Sequence, residues 1–169
     1  MVLESPISKQ VKEAYRSLIL GEIGFGKFED MLKGLEAKRE LTSHDRLWIN
    51  LAMGKAATRF RNYEKAVEFF FKAFSLELSD CQQAEVLARR AYALLQVGRK
   101  TISDLDRAVF LGKAERQVGW ALIRMRETDP YYQDTALLEK RIIAAINEPP
   151  YTRRIKFVCR RLVCGNCEL

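Results

Sequence analysis

Residues 47–80 read LWINLAMGKAATRFRNYEKAVEFFFKAFSLELSD. Leu47, Leu51, Gly54 and Ala57 recur at the spacing of one helical face, and Ala66, Phe70, Ala73 and Phe74 do so again after the short break RNY at 61–63. Two helices joined by so short a turn must lie antiparallel. Gly54, Ala66 and Ala73 are small enough to let the two backbones approach closely, and Phe70 is large enough to fill the groove between them. The stretch therefore predicts a helical hairpin with a contact seam of alternating small and large side chains.

This hairpin resembles a tetratricopeptide (TPR) repeat, a unit of about 34 residues. In that family's pattern the small residue of the first helix falls on Gly54, the turn aromatic on Tyr63, the alanine of the second helix on Ala66, the aromatic on Phe70 and the next small residue on Ala73. Leu78 stands where a closing proline is usual. The resemblance covers residues 12–147, most closely in this one repeat. It implies an all-α protein of antiparallel helical hairpins stacked as a TPR-like right-handed superhelix.

Toward the N-terminus the stretch GEIGFGKF, residues 21–28, imitates a phosphate-binding loop. Gly21, Gly26 and Lys27 match the G-x-x-x-x-G-K core, but Phe28 occupies the position where a hydroxyl must hold Mg²⁺. Val11, Ala14, Tyr15, Leu18 and Ile19 before it have helical spacing, whereas a phosphate cradle follows a strand. The glycines are read as the turn between two antiparallel helices, the second carrying Phe28, Met31, Leu32 and Leu35. Aligning GKF at 26–28 with RNY at 61–63 makes this opening segment a degenerate preceding repeat.

Downstream, Ser79 and Gln82 form a Ser-x-x-Gln capping box that starts a helix with Ala84, Leu87, Ala88, Ala91 and Leu95 on one face, ending near Gly98. A further helix begins around Ser103, and its continuation reads equally as two helices broken near Gly112 or as one long helix. Asp129 and Pro130 suit the N-cap and first turn of the last body helix, which Pro149 and Pro150 stop.

The 169 residues carry a formal charge of +7, yet the 21 residues from Pro149 onward hold five basic groups against one acid and so contribute +4 of it. The chain divides into a helical repeat domain, residues 1–148, and a basic tail, residues 149–169. Ile155, Val158, Cys159, Leu162 and Val163 share one face of that tail, with Arg154, Lys156, Arg160 and Arg161 on the others. Repeat arrays need an end cover for their core, so the tail is expected to form an amphipathic capping helix, a membrane-surface helix and a docking helix being the alternatives. The start of the chain lacks a basic, apolar leader, which gives the cytoplasm as the default compartment.

Little in the chain suggests catalysis. The only histidine, His44, sits at a helix start, and no histidine pair or Ser-His-Asp set is spaced for chemistry. Cys164 and Cys167 have C-x-x-C spacing and Cys159 could add a third ligand, but a closed zinc site needs a fourth and none lies nearby. Thiols without metal are expected, and no cofactor. The expectation is a non-catalytic adaptor binding a peptide or helix of a partner protein. The resemblance places the binding groove on the first helix of each pair, where Arg16, Lys55, Arg59, Arg90 and Arg124 are the cationic candidates, with Arg160 and Arg161 added by the tail. Guanidinium groups grip carboxylates in pairs, so an acidic protein or peptide is the expected partner. A nucleic-acid-binding or regulatory role for the same basic residues is the second reading, and a membrane surface met through the tail the third.

Overall fold

The computed structural model describes residues 5–38, 40–76 and 78–148, and every element in them is a helix: α1 (Pro6–Ile19), α2 (Phe25–Glu36), α3 (Ser43–Arg59), α4 (Tyr63–Phe74), α5 (Asp80–Lys100), α6 (Asp104–Arg124) and α7 (Tyr132–Ile146). The all-α class follows. The tail, with Arg160, Arg161 and three of the four cysteines, lies outside the described residues.

Five of the seven described helices start at a side-chain cap. Ser5, Thr42 and Ser79 cap α1, α3 and α5 through their hydroxyls, and consecutive caps are 37 residues apart (42 − 5 and 79 − 42). A side-chain oxygen there accepts from a backbone N–H that the first turn leaves unpaired. Thr42 with Asp45 and Ser79 with Gln82 complete reciprocal capping boxes. The even helices start at Phe25, Tyr63 and Asp104, and their eighth residues, Leu32, Phe70 and Leu111, are all buried.

The packing divides into three cores in series. Val11, Ala14 and Leu18 of α1 close on Phe28 and Leu32 of α2 and on Ile49, Met53 and Ala56 of α3. Leu47, Leu51 and Ala57 on other faces of α3 meet Ala66, Phe70 and Ala73 of α4 and Val86 and Ala93 of α5. Leu94 and Leu95 of α5 then join Leu111, Ala114 and Val118 of α6 and Leu138 and Ile142 of α7. Helices α3 and α5 are each used twice, which is why their sequences are apolar or small on most sides.

At the seam of α3 and α4 the Phe70 ring lies over Gly54, where an added Cβ would stand 2.5 Å from a ring carbon. A second close approach joins Gly98 of α5 to Leu111 of α6, with a hypothetical Cβ at 3.0 Å. Gly98 therefore sits inside α5, which runs on to Lys100.

The structure corrects several sequence expectations. Phe25, not Phe28, corresponds to Tyr63, because residues 20–24 separate α1 from α2 while only residues 60–62 separate α3 from α4. Gly21, at φ 77°, makes the first turn, and Gly26 and Lys27 already belong to α2. Arg61 takes the same left-handed conformation, φ 58°, in the second turn. Of the two readings left open near Gly112, the structure takes the one long helix, α6 being continuous across it. Asp129 does not cap α7: its carboxylate accepts from the Arg126 N–H, closing a turn, and the helix starts at Tyr132.

Asp45 ties the first two odd helices together. Its carboxylate accepts from the Ser5 hydroxyl of α1's cap and from the N–H and hydroxyl of Thr42 (3.2 and 2.7 Å). Burial by itself would raise its pKa, but these hydrogen bonds to the charged form together outweigh that and hold it below the ordinary value.

Two predictions follow from these contacts. Gly54→Ala improves helix propensity but must displace the Phe70 ring, and Ala66→Leu overfills the same seam. Each should cost about 1 to 3 kcal/mol and lower the melting temperature; a rise for either would disprove the seam as described. Because Asp45 is depressed in the fold, its contribution is fully present above its unfolded pKa and is lost as pH falls through the lower folded value. Asp45→Asn should be less stable than wild type at neutral pH, and the gap should close in acid, as measured by urea unfolding across that window.

Candidate functional site

The helices α3 and α5 both pack on α4, and a cluster of charges bridges them. One oxygen of Glu85, on α5, accepts from Nε and Nη2 of Arg89 (2.9 Å each) and faces Nζ of Lys55, on α3, at 3.3 Å. All three side chains are about one quarter to one third exposed, at 25, 28 and 34 % for Lys55, Glu85 and Arg89. They are sheltered enough to interact strongly and open enough to meet a ligand. Burial by itself would raise the Glu85 pKa, but Arg89 and Lys55 together hold its carboxyl below the usual range. Burial, then repulsion from Arg89, pushes the Lys55 ammonium down, with Glu85 opposing both. Two cations thus share one carboxylate, and the cluster carries one positive charge in excess.

The same side of α3 extends the cluster in both directions. Arg59 lies one turn beyond Lys55, while Trp48 and His44 lie on the same line about two and three turns before it. Trp48 is half-buried, its Nε1 donates to His44 Nε2 at 3.1 Å, and the Lys12 ammonium of α1 stands 4.9 Å over its ring. Arg16, four residues after Lys12, continues that side of α1 and is exposed. Lys12, Arg16, Trp48, Lys55, Arg59, Glu85 and Arg89 thereby define one cationic face across α1, α3 and α5, with an indole set into it.

The remaining predicted residues sit elsewhere. Arg90 turns toward α4, with its guanidinium 4.8 Å over the Phe71 ring and its Nε buried without a hydrogen-bond partner. Arg124 closes the end of α6 by donating to Gln83 Oε1 and to the Trp120 carbonyl, both at 3.1 Å. Sequence reasoning missed Glu85, Arg89, Lys12 and Trp48. The pair Glu85 and Arg89 has the i, i+4 spacing of an intrahelical bridge, which is a legible signal, but its link to Lys55 thirty residues earlier is purely tertiary.

Among the described residues no group of three or more His, Cys, Asp or Glu is placed to hold a metal, and no helix is long and apolar enough to cross a membrane. His44 is exposed at the start of α3, and its Nε2 accepts from the Trp48 indole N–H. The arrangement suits anionic or carboxylate-bearing groups, which would meet its excess cation. Compared with protein-family models, curated proteins and solved structures, the chain matches none.

Proposed function

We propose that this chain is a non-catalytic, TPR-like adaptor that holds an acidic segment of a partner protein on the face formed by α1, α3 and α5. The observation that carries the reading is the uncompensated charge at Lys55, Glu85 and Arg89: a carboxylate from the partner supplies the second anion that two sheltered cations call for. Trp48 beside it offers an apolar plane for a neighbouring side chain. The hydroxyl caps at equal spacing and the cores shared by successive helices support a repeat architecture. The unit is 37 residues rather than the family's usual length of about 34.

The tail completes this reading. Helix α7 lacks a following helix among the described residues, and Leu137 and Ile143 on its outer side are 47 and 42 % exposed. Residues 149–169, outside the described residues, carry the apolar Ile155, Val158, Leu162 and Val163 and the basic Arg160 and Arg161, a composition suited to such a cover.

Capture of partners from lysate by the purified chain, with and without nuclease, tests the proposed function. An acidic protein should be retained after nuclease and lost when Lys55→Glu and Arg89→Glu are combined. Retention that vanishes with nuclease, and falls steeply with salt, would assign the face to nucleic acid instead. Retention indifferent to both substitutions would remove the face from consideration. Deleting residues 151–169 should expose apolar surface and lower solubility; unchanged stability and solubility would mean that the tail covers nothing.

A further inference from the structure

Helix α6 is apolar on two opposite sides. Leu111, Ala114, Val118 and Ala121 are buried toward α5 and α7. At 100° per residue, positions 105, 109, 112, 116, 120 and 123 fall on the other side, with Ile102 leading into the same line. There Ile102, Leu105 and Ile123 are 80, 77 and 80 % exposed, and Val109 and Trp120 about half so. Two clusters of large exposed apolar groups on one side of a surface helix mark an interaction site.

The row is self-complementary. Leu105 and Val109 stand at one end and Trp120 and Ile123 at the other, with Gly112 and Arg116 between them. A half-turn about the point midway between Gly112 and Arg116 exchanges Leu105 with Ile123 and Gly112 with Arg116, and carries Val109 to the side of Trp120. Gly112 has nothing within 4 Å of where its Cβ would be, which leaves room for the stem of an arginine laid across it. Along one edge the same half-turn brings Asp106 opposite Leu122 of the second copy, two residues from Arg124 and within that arginine's reach, and along the other it brings Arg116 within reach of Glu115 of the second copy. All four of these charged side chains are exposed. An acidic start and a basic end on one helix are the pattern that an antiparallel partner of identical sequence complements.

We propose that α6 is a self-association surface, pairing antiparallel with α6 of a second copy of this chain. The dyad lies on the side of α6 away from α5 and α7, so pairing leaves the cationic face of α1, α3 and α5 open in both copies.

Sedimentation equilibrium of the full chain over a wide concentration range should show a reversible monomer and dimer. Combining Leu105→Glu with Ile123→Glu should weaken the dimer at least about tenfold without altering the circular-dichroism melt of the monomer, since both side chains are exposed. Asp106→Arg should weaken it alone and regain affinity when Arg124→Asp is added, because the swap restores opposite charges only in the antiparallel register. A dimer indifferent to the two glutamates, or a charge swap that fails to recover, would overturn the proposal. A full chain that stays monomeric would overturn it too. If that monomer dimerises once residues 151–169 are removed, and Leu105→Glu with Ile123→Glu abolishes that dimer, the tail and not a second copy occupies the row in the full chain.

Discussion

The approach of Phe70 to Gly54 sets the geometry on which the rest of the chain depends. Where α3 has no side chain, α4 can press an aromatic ring against bare backbone, and the two helices come closer than any pair of larger residues would permit. With α4 held there, α3 presents other sides to α1 and α2, and α4 presents its far side to α5. The charged cluster of Lys55, Glu85 and Arg89 exists because α4 holds α3 and α5 at the distance that their side chains can span.

Much of this was legible from the order of residues. The seam of Gly54, Ala66, Phe70 and Ala73, the capping box at Ser79 and the helix start at Ser103 all rest on local chemistry, and local chemistry decided them. Where the reading failed, the deciding interaction lay elsewhere in the chain or in the turn itself. Near Gly112 the reading left two helices or one open, and α6 is one because the burial of Leu111 and Ala114 on either side outweighs the helix cost of one glycine. Asp129 did not cap α7 because its carboxylate closes a tight turn on Arg126 instead. The alignment of GKF with RNY failed because the first turn is two residues longer than the second, a difference that helical periodicity does not register.

The candidate face was only half legible for a related reason. Lysine and arginine positions are visible in any sequence, but which of them share a surface depends on helix rotation. Lys55 and Arg59 share one side of α3 by their spacing, whereas Arg90 was drawn to Phe71 and Arg124 to Gln83. Glu85 escaped notice because an acid beside an arginine at i+4 reads as an ordinary surface pair. Its weight in the site comes from Lys55, which reaches it from another helix.

The three cores have no buried residue in common; only partly buried side chains such as Phe25 and Val67 touch two of them. Cooperation between distant parts of the molecule is therefore passed along neighbours rather than held in one central mass. Under tension applied to the ends of the folded body, such a chain would lengthen stepwise, yielding one hairpin and then the next. The Asp45 bond to Ser5 resists the first extension from the N-terminal side, and the ion pair of Arg107 with Glu148 resists it from the other.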